Sequence, residues 1–118
     1  MPLKLTTYYH GSDIPELPGN NTFHSIELFH IYEATPGYTP LLIVASEAEK
    51  PVAKLLAAVR KSARLFPPAI IKRCEVYGTG EYFDETIDKE FVFGEMLQRL
   101  TAEALREAFL LSLIHISE

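Results

Sequence analysis

The sequence predicts an α/β (α+β) domain in which a mixed, mostly antiparallel sheet is flanked by two helices. Three observations carry this reading. Leu41-Leu42-Ile43-Val44-Ala45 is a short apolar run bounded by turn residues, and its length suits a buried strand better than a helix. A second apolar run, Pro51 to Arg60 with Val52, Leu55, Leu56 and Val59, follows after the polar connection Glu47-Ala48-Glu49-Lys50, as the return strand of a hairpin would. From about Asp88 the period changes: Phe93, Leu97, Leu100, Ala104 and Ala108 follow helical spacing, with Glu95, Gln98, Arg99 and Glu103 on other faces.

The remaining elements follow in chain order. Leu3 to Tyr9 alternates roughly between Leu, Thr and Tyr, a strand pattern that Gly11-Ser12-Asp13 stops. Asp13 to Asn21 carries Pro15, Pro18, Gly19, Asn20 and Asn21, the turn formers of an ordered loop. Asn21 or Thr22 caps a helix in which Phe23, Ile26, Phe29 or His30, and Glu33 divide into apolar and polar faces, and Pro36-Gly37 ends it. The hairpin comes next; the alanines of its second run would also suit a helix, and its place after the polar connection decides for the strand. Phe66-Pro67-Pro68 breaks the chain. Ala69-Ile70-Ile71 and Cys74-Glu75-Val76-Tyr77 form a further strand candidate that runs into Gly78-Thr79-Gly80.

Residues 111–118 stand apart. Leu-Ser-Leu-Ile-His-Ile-Ser-Glu can be written, codon by codon, as a transposase-type sequencing-library adapter. The expectation is therefore that residues 1–110 are the amino-terminal part of a domain in a longer protein and that 111–118 are a non-native tail, with His115 carrying no chemistry. A piece cut there leaves apolar sheet edge and helix face uncovered, so self-association through an exposed edge is expected.

Bulk properties narrow the function classes. A chain of 118 residues, 47% apolar and 23% charged, is ordinary for one soluble globular domain. Its net charge of -5 provides no global field that would gather nucleic acid or an anionic membrane. Charge is nevertheless uneven: Lys54, Arg60, Lys61, Arg64, Lys72 and Arg73 occur without an intervening acid, and Glu81, Asp84, Glu85, Asp88 and Glu90 crowd the next stretch. Such blocks are solvated faces or binding patches. Cys74 is the only cysteine, which excludes an intramolecular disulfide and a cysteine-cluster zinc site. With no secretory pattern at the start and no run able to span a bilayer, the expected location is cytoplasmic.

Candidate chemistry is sparse. His10, His24 and His30 lack metal-ligand spacing, and His24 and His30 are expected on the exposed or boundary side of the first helix. Ser25 and Cys74 are conceivable nucleophiles with no base placed beside either, and Ser25 equally reads as a polar position in a helix's first turns. Gly78-Thr79-Gly80, after a strand and before a helix, either lets backbone amides approach an anionic ligand or is a plain tight turn or bulge. Asp84, Glu85 and Asp88 suit the dipole of the helix that follows. The six tyrosines are expected half-buried with hydroxyls at the rim, and Phe91 and Phe93 read as core and staple residues.

The order strand, helix, hairpin, strand, glycine turn, helix resembles the first half of the Gcn5-related N-acetyltransferase fold. More narrowly, Asn21 to Phe29, the hairpin Pro40 to Lys61, and Glu75-Val76-Tyr77-Gly78-Thr79-Gly80-Glu81-Tyr82-Phe83 make the chain similar to the amino-terminal region of bacterial Fem-type peptidoglycan-bridge aminoacyltransferases. The resemblance implies that Val76, Tyr77, Gly78, Thr79 and Gly80 occupy the donor loop. In acetyltransferases that loop holds acetyl-coenzyme A, but the Gln/Arg-x-x-Gly-x-Gly/Ala pattern is absent, because Glu75 stands three before Gly78. Fem-type relatives use an aminoacyl-tRNA donor and a muropeptide-bearing amine acceptor, which tolerates that loss. It further implies Arg60, Lys61 and Arg64 as RNA-phosphate contacts. An acetyl-coenzyme A dependent enzyme and a non-catalytic α/β binding module are the competing readings.

Overall fold

The structure, a computed structural model, describes residues 3–64, 70–78, 80–107 and 111–117. The Phe66-Pro67-Pro68 break, Thr79 and the start of a segment at Ala108 lie outside these residues. The described elements are β1 (Leu3–Tyr8), α1 (Ile26–Ala34), β2 (Tyr38–Glu47), β3 (Lys50–Arg64), β4 (Ile70–Tyr77), β5 (Glu81–Tyr82), α2 (Lys89–Glu107) and β6 (Leu111–Ser117). They build a mixed, mostly antiparallel sheet ordered β1-β2-β3-β4-β6, with β5 paired to β3. Among the described residues no helix is long and apolar enough to cross a membrane.

The hairpin is tighter than its polar connection suggests. Glu47 pairs with Lys50, leaving Ala48 and Glu49 as a two-residue loop, both at positive φ (50° and 64°). Positive φ at both central residues suits the right-handed twist of the flanking strands, although glycine and asparagine tolerate it far better than these two residues.

Residues 52–59 of β3 are buried without interruption because both faces of the sheet are covered. On one face Leu41, Ile43, Leu55, Ala57, Cys74 and Val76 pack with Val92, Met96 and Leu100 of α2. On the other, Leu42, Val44 and Leu56 pack against Phe29. Phe29 is the one fully buried residue of α1.

Several expected faces shift. Ser25 is the N-cap of α1, its Oγ accepting the Leu28 N–H at 3.1 Å, while Asn21 Oδ1 caps a preceding single 3₁₀ turn, Thr22–His24, by accepting the Phe23 N–H. Phe23 is therefore 53% exposed rather than on the helix's apolar stripe. In α2 the buried line runs Val92, Met96, Leu100 and Glu103, with Phe93 and Leu97 at its flank, so Glu103 lies on the inward face and Phe91, 57% exposed, is not a core residue. The described tyrosines Tyr8, Tyr9, Tyr32, Tyr38 and Tyr82 are half-buried, as tyrosine's polar tip favours.

The backbone of residues 111–117 forms β6, parallel to β4 from Ile71↔Leu111 to Tyr77↔Ser117. A Leu- and Ile-rich segment such as Leu-Ser-Leu-Ile-His-Ile-Ser can pair with an open ladder whatever its origin.

Cys74 sits in the core beneath α2, and burial, with a smaller contribution from the adjacent Glu75 carboxylate, pushes its thiol up from 9.0 to about 12. The raised value means stability is whole below pH 9 and falls as pH climbs toward 12, because the unfolded chain releases this proton first. The expected loss is up to ~1.4 kcal/mol per pH unit in that window. Denaturation of wild type and Cys74→Ala at pH 8 and pH 10 checks this: the difference between the two proteins should narrow at pH 10, and an unchanged difference would refute the assignment.

Candidate functional site

Along the side of β3 that faces β4 and β5, the register shifts between Lys61 and Ala63, and pairing breaks again between Ala57 and Lys54. Ala57 pairs with Val76 at the end of β4, and Lys54 pairs with Glu81 at the start of β5. Two residues of β3, Leu55 and Leu56, thus stand opposite the four residues 77–80. The glycine segment is a bulge between two stretches, β4 and β5, that both pair antiparallel with β3, not a direct hand-over from strand to helix. Gly80, at φ +96°, lies so close to β3 that a Cβ there would meet the Lys54 carbonyl oxygen at 2.8 Å. Gly78, at φ +68°, has open space around it.

The bulge leaves the Leu56 N–H without a strand partner, and His24 supplies one. Its Nδ1 accepts that N–H at 3.0 Å, and the imidazole is 1% exposed. This corrects the expectation of a boundary or exposed His24: the single 3₁₀ turn carries the residue off the helix and down onto the sheet. His30 is exposed as expected, its Nδ1 3.4 Å from Glu33. Replacing His24 by alanine orphans a buried donor and should cost about 1–3 kcal/mol. His24→Asn, whose side-chain oxygen reaches the same place as Nδ1, should recover part of it; equal losses for both in chemical denaturation would deny the hydrogen bond its importance.

Beside His24 on the same face of β3 lies a buried ion pair. Lys54 is 5% exposed, and its Nζ is 3.5 Å from Glu81 Oε1 and 5.8 Å from the Phe83 ring centroid. Glu81 Oε2 accepts the backbone N–H groups of Asn20 and Asn21 at 2.9 and 3.0 Å. Its Oε1 is buried and has no hydrogen-bond partner among the described residues. The carboxylate therefore pins the loop before α1 to β5 and faces the lysine. The loop, α1 and the sheet border a solvent-open cavity of about 680 Å³, with Lys54 and Leu42 at the sheet side.

Of the expected donor-loop residues, Val76 is 1% exposed and belongs to the core beneath α2. Tyr77 closes β4, Gly78 and Gly80 form the bulge, and Thr79 lies outside the described residues. Of the expected phosphate contacts, Arg60 is held by Glu75, with Nη2 and Nε at 2.9 and 3.1 Å from Oε1. The register sets Arg60 opposite Arg73 and Lys61 opposite Lys72 along the backbone, while the side chains of Lys61 and Arg64 lie outside the described residues. Lys54, read as one more charge of this basic segment, faces Glu81 on the neighbouring strand instead.

The start of α2 is occupied by acids. Asp88 Oδ1 accepts the Phe91 N–H at 3.2 Å, and Asp84 Oδ1 accepts both the hydroxyl and the N–H of Thr86. Those two hydrogen bonds, the hydroxyl's first, hold the Asp84 carboxyl below the usual range. A helix N-terminus already capped by the Asp88 carboxylate, with Asp84 in the turn just before it, does not suit a coenzyme A diphosphate. Among the described residues no three His, Cys, Asp or Glu side chains group as metal ligands.

No family model, curated protein or solved structure matches the chain.

Proposed function

We infer that the intact protein is a cytoplasmic, Fem-like transferase that moves an aminoacyl or acyl group onto an amine, with cell-wall peptide synthesis as the setting. The single observation supporting this reading most is the glycine bulge between β4 and β5 on the edge of β3. It takes Gly78 and Gly80 out of the ladder at positive φ, a backbone arrangement that a donor loop in such a fold could use. The hairpin β2–β3 and the helix α2 after the bulge agree with the same scheme. The acids at the start of α2 do not fit the coenzyme's diphosphate, which speaks against acetyl-coenzyme A as the donor.

The chemistry asked of the chain is positioning. An amine nitrogen attacks the ester carbonyl of the donor, the new amide forms, and the ester oxygen leaves as the hydroxyl of the tRNA end after taking up the proton the amine loses. Holding the two reactants in contact supplies most of the acceleration in such a reaction. Bulge residues Gly78 and Gly80 would approach the donor.

The test uses the intact gene product with labelled aminoacyl-tRNA and a muropeptide acceptor. Label should pass to the acceptor amine, and Gly80→Ala, which drives a Cβ into the Lys54 carbonyl, should abolish transfer. Transfer from acetyl-coenzyme A but not from aminoacyl-tRNA, or transfer unaffected by substitutions across Gly78 to Gly80, would overturn the reading.

A further inference from the structure

The solvent-open cavity beneath the loop before α1 combines apolar wall with a buried charge, independently of any group transfer at the bulge. Its volume, about 680 Å³, falls within the range of pockets that enclose metabolites. Ile14, Leu17, Ile26 and Leu42 supply apolar wall, and Lys54 is the charged group at the sheet side.

Lys54 is a costly residue for this place. An ammonium that is 95% withdrawn from water needs good hydrogen bonds, and its distance to Glu81 Oε1, 3.5 Å, is long for a charge-assisted one. Glu81 is held where it is by the Asn20 and Asn21 amides and cannot close on the lysine without leaving them. An acceptor oxygen brought into the cavity would give Lys54 the partner that Glu81 only partly provides.

The charges around the cavity restrict what can bring that oxygen. Lys54 and Glu81 offset one another, and Glu16 and Glu27, both exposed, line the cavity nearer to solvent. The field at the mouth is negative, so phosphates and dicarboxylates are repelled. A molecule with no net charge, carrying an acceptor oxygen at one end and an ammonium that the mouth favours, fits both conditions. We propose that the cavity binds a small aliphatic α-amino acid, its carboxylate on Lys54 Nζ, its side chain against Leu17, Ile26 and Leu42, and its ammonium toward the Glu16 and Glu27 side.

The experiment is a nitrogen-15 NMR titration of the full 118-residue chain with L-leucine, 4-methylpentanoate and 3-methylbutylamine. L-leucine should give saturable shifts centred on the amides of Ile26, Leu42 and Lys54. The amine, lacking the carboxylate, should give none, and 4-methylpentanoate, lacking the ammonium, should bind more weakly. The paired variant Lys54→Met with Glu81→Gln removes both buried charges together and should weaken L-leucine at least roughly tenfold, the scale of one charge-assisted hydrogen bond. Exposed Glu16→Gln with Glu27→Gln, which leaves the core untouched, should erase the preference for L-leucine over 4-methylpentanoate. No saturable shift with L-leucine overturns the proposal, as does undiminished binding in the paired variant; if that variant does not fold, a preference that survives the loss of Glu16 and Glu27 overturns it instead. None of these outcomes depends on aminoacyl transfer, so the two readings fail separately.

Discussion

Glu81→Ala is expected to cost roughly 3–5 kcal/mol of folding stability, read as a fall in the denaturant midpoint, the size typical of breaking a buried ion pair from one side. Two things are lost together. The Asn20 and Asn21 N–H groups lose the oxygen that both share, and Lys54, 5% exposed, loses the carboxylate that faces it. Glu81's own side chain is 13% exposed, so solvent screens little of the interaction. The paired replacement Lys54→Met, Glu81→Gln should be distinctly less damaging than Glu81→Ala, because no charge is stranded and the glutamine oxygen still serves the two amides. A cost below about 1 kcal/mol for Glu81→Ala would place the pair among ordinary solvated salt bridges and remove the physical basis of the site.

Phe29→Ala should be of similar size, about 3–5 kcal/mol, the range for emptying a buried aromatic position. Phe29 is fully buried against Leu42, Val44 and Leu56 and is the only α1 residue to reach that depth. Ile31 on the same helix is 60% exposed, and Ile31→Ala should change stability by less than about 0.5 kcal/mol. Since Ile26 and Glu27 border the cavity from the start of α1, Phe29→Ala should also broaden their amide resonances while those of α2 stay sharp. Equal, small losses for both variants in urea denaturation would mean that α1 is not anchored through Phe29. A domain of this size has a total stability of about 5–15 kcal/mol, so either substitution removes a large share.

The sheet was legible where one residue type dominated over a short run. Leu41 to Ala45 and the turn before Pro51 announced the hairpin, and the strand at Pro51 to Arg60 is what the structure contains. Its periodicity was ambiguous for a physical reason: with both faces covered, β3 does not alternate, so Val52 to Val59 looks equally apolar at every angle. The glycine segment was legible as either a ligand loop or a bulge, and its pairing shows the bulge. Helix α2 was plain in its extent but rotated in its face, since Phe93 and Leu97 are larger signals than Val92 and Met96 while the latter pair points inward.

The site was much less legible. His24 reads as a helix residue until the 3₁₀ turn at Thr22–His24 is known, because that turn alone aims it at the sheet. Lys54 belongs to a run of bases in sequence, and only the β3–β5 register brings Glu81 beside it. A sequence signal existed in principle: a lysine inside the apolar run Val52 to Val59 demands a buried counter-charge, and the acid-rich stretch from Glu81 was the place to seek one.

The two-residue tip between β2 and β3 has a practical corollary. Ala48 and Glu49 hold a handedness that L-residues with a Cβ resist. Selection for heat tolerance should therefore reach this tip early, favouring asparagine and glycine there.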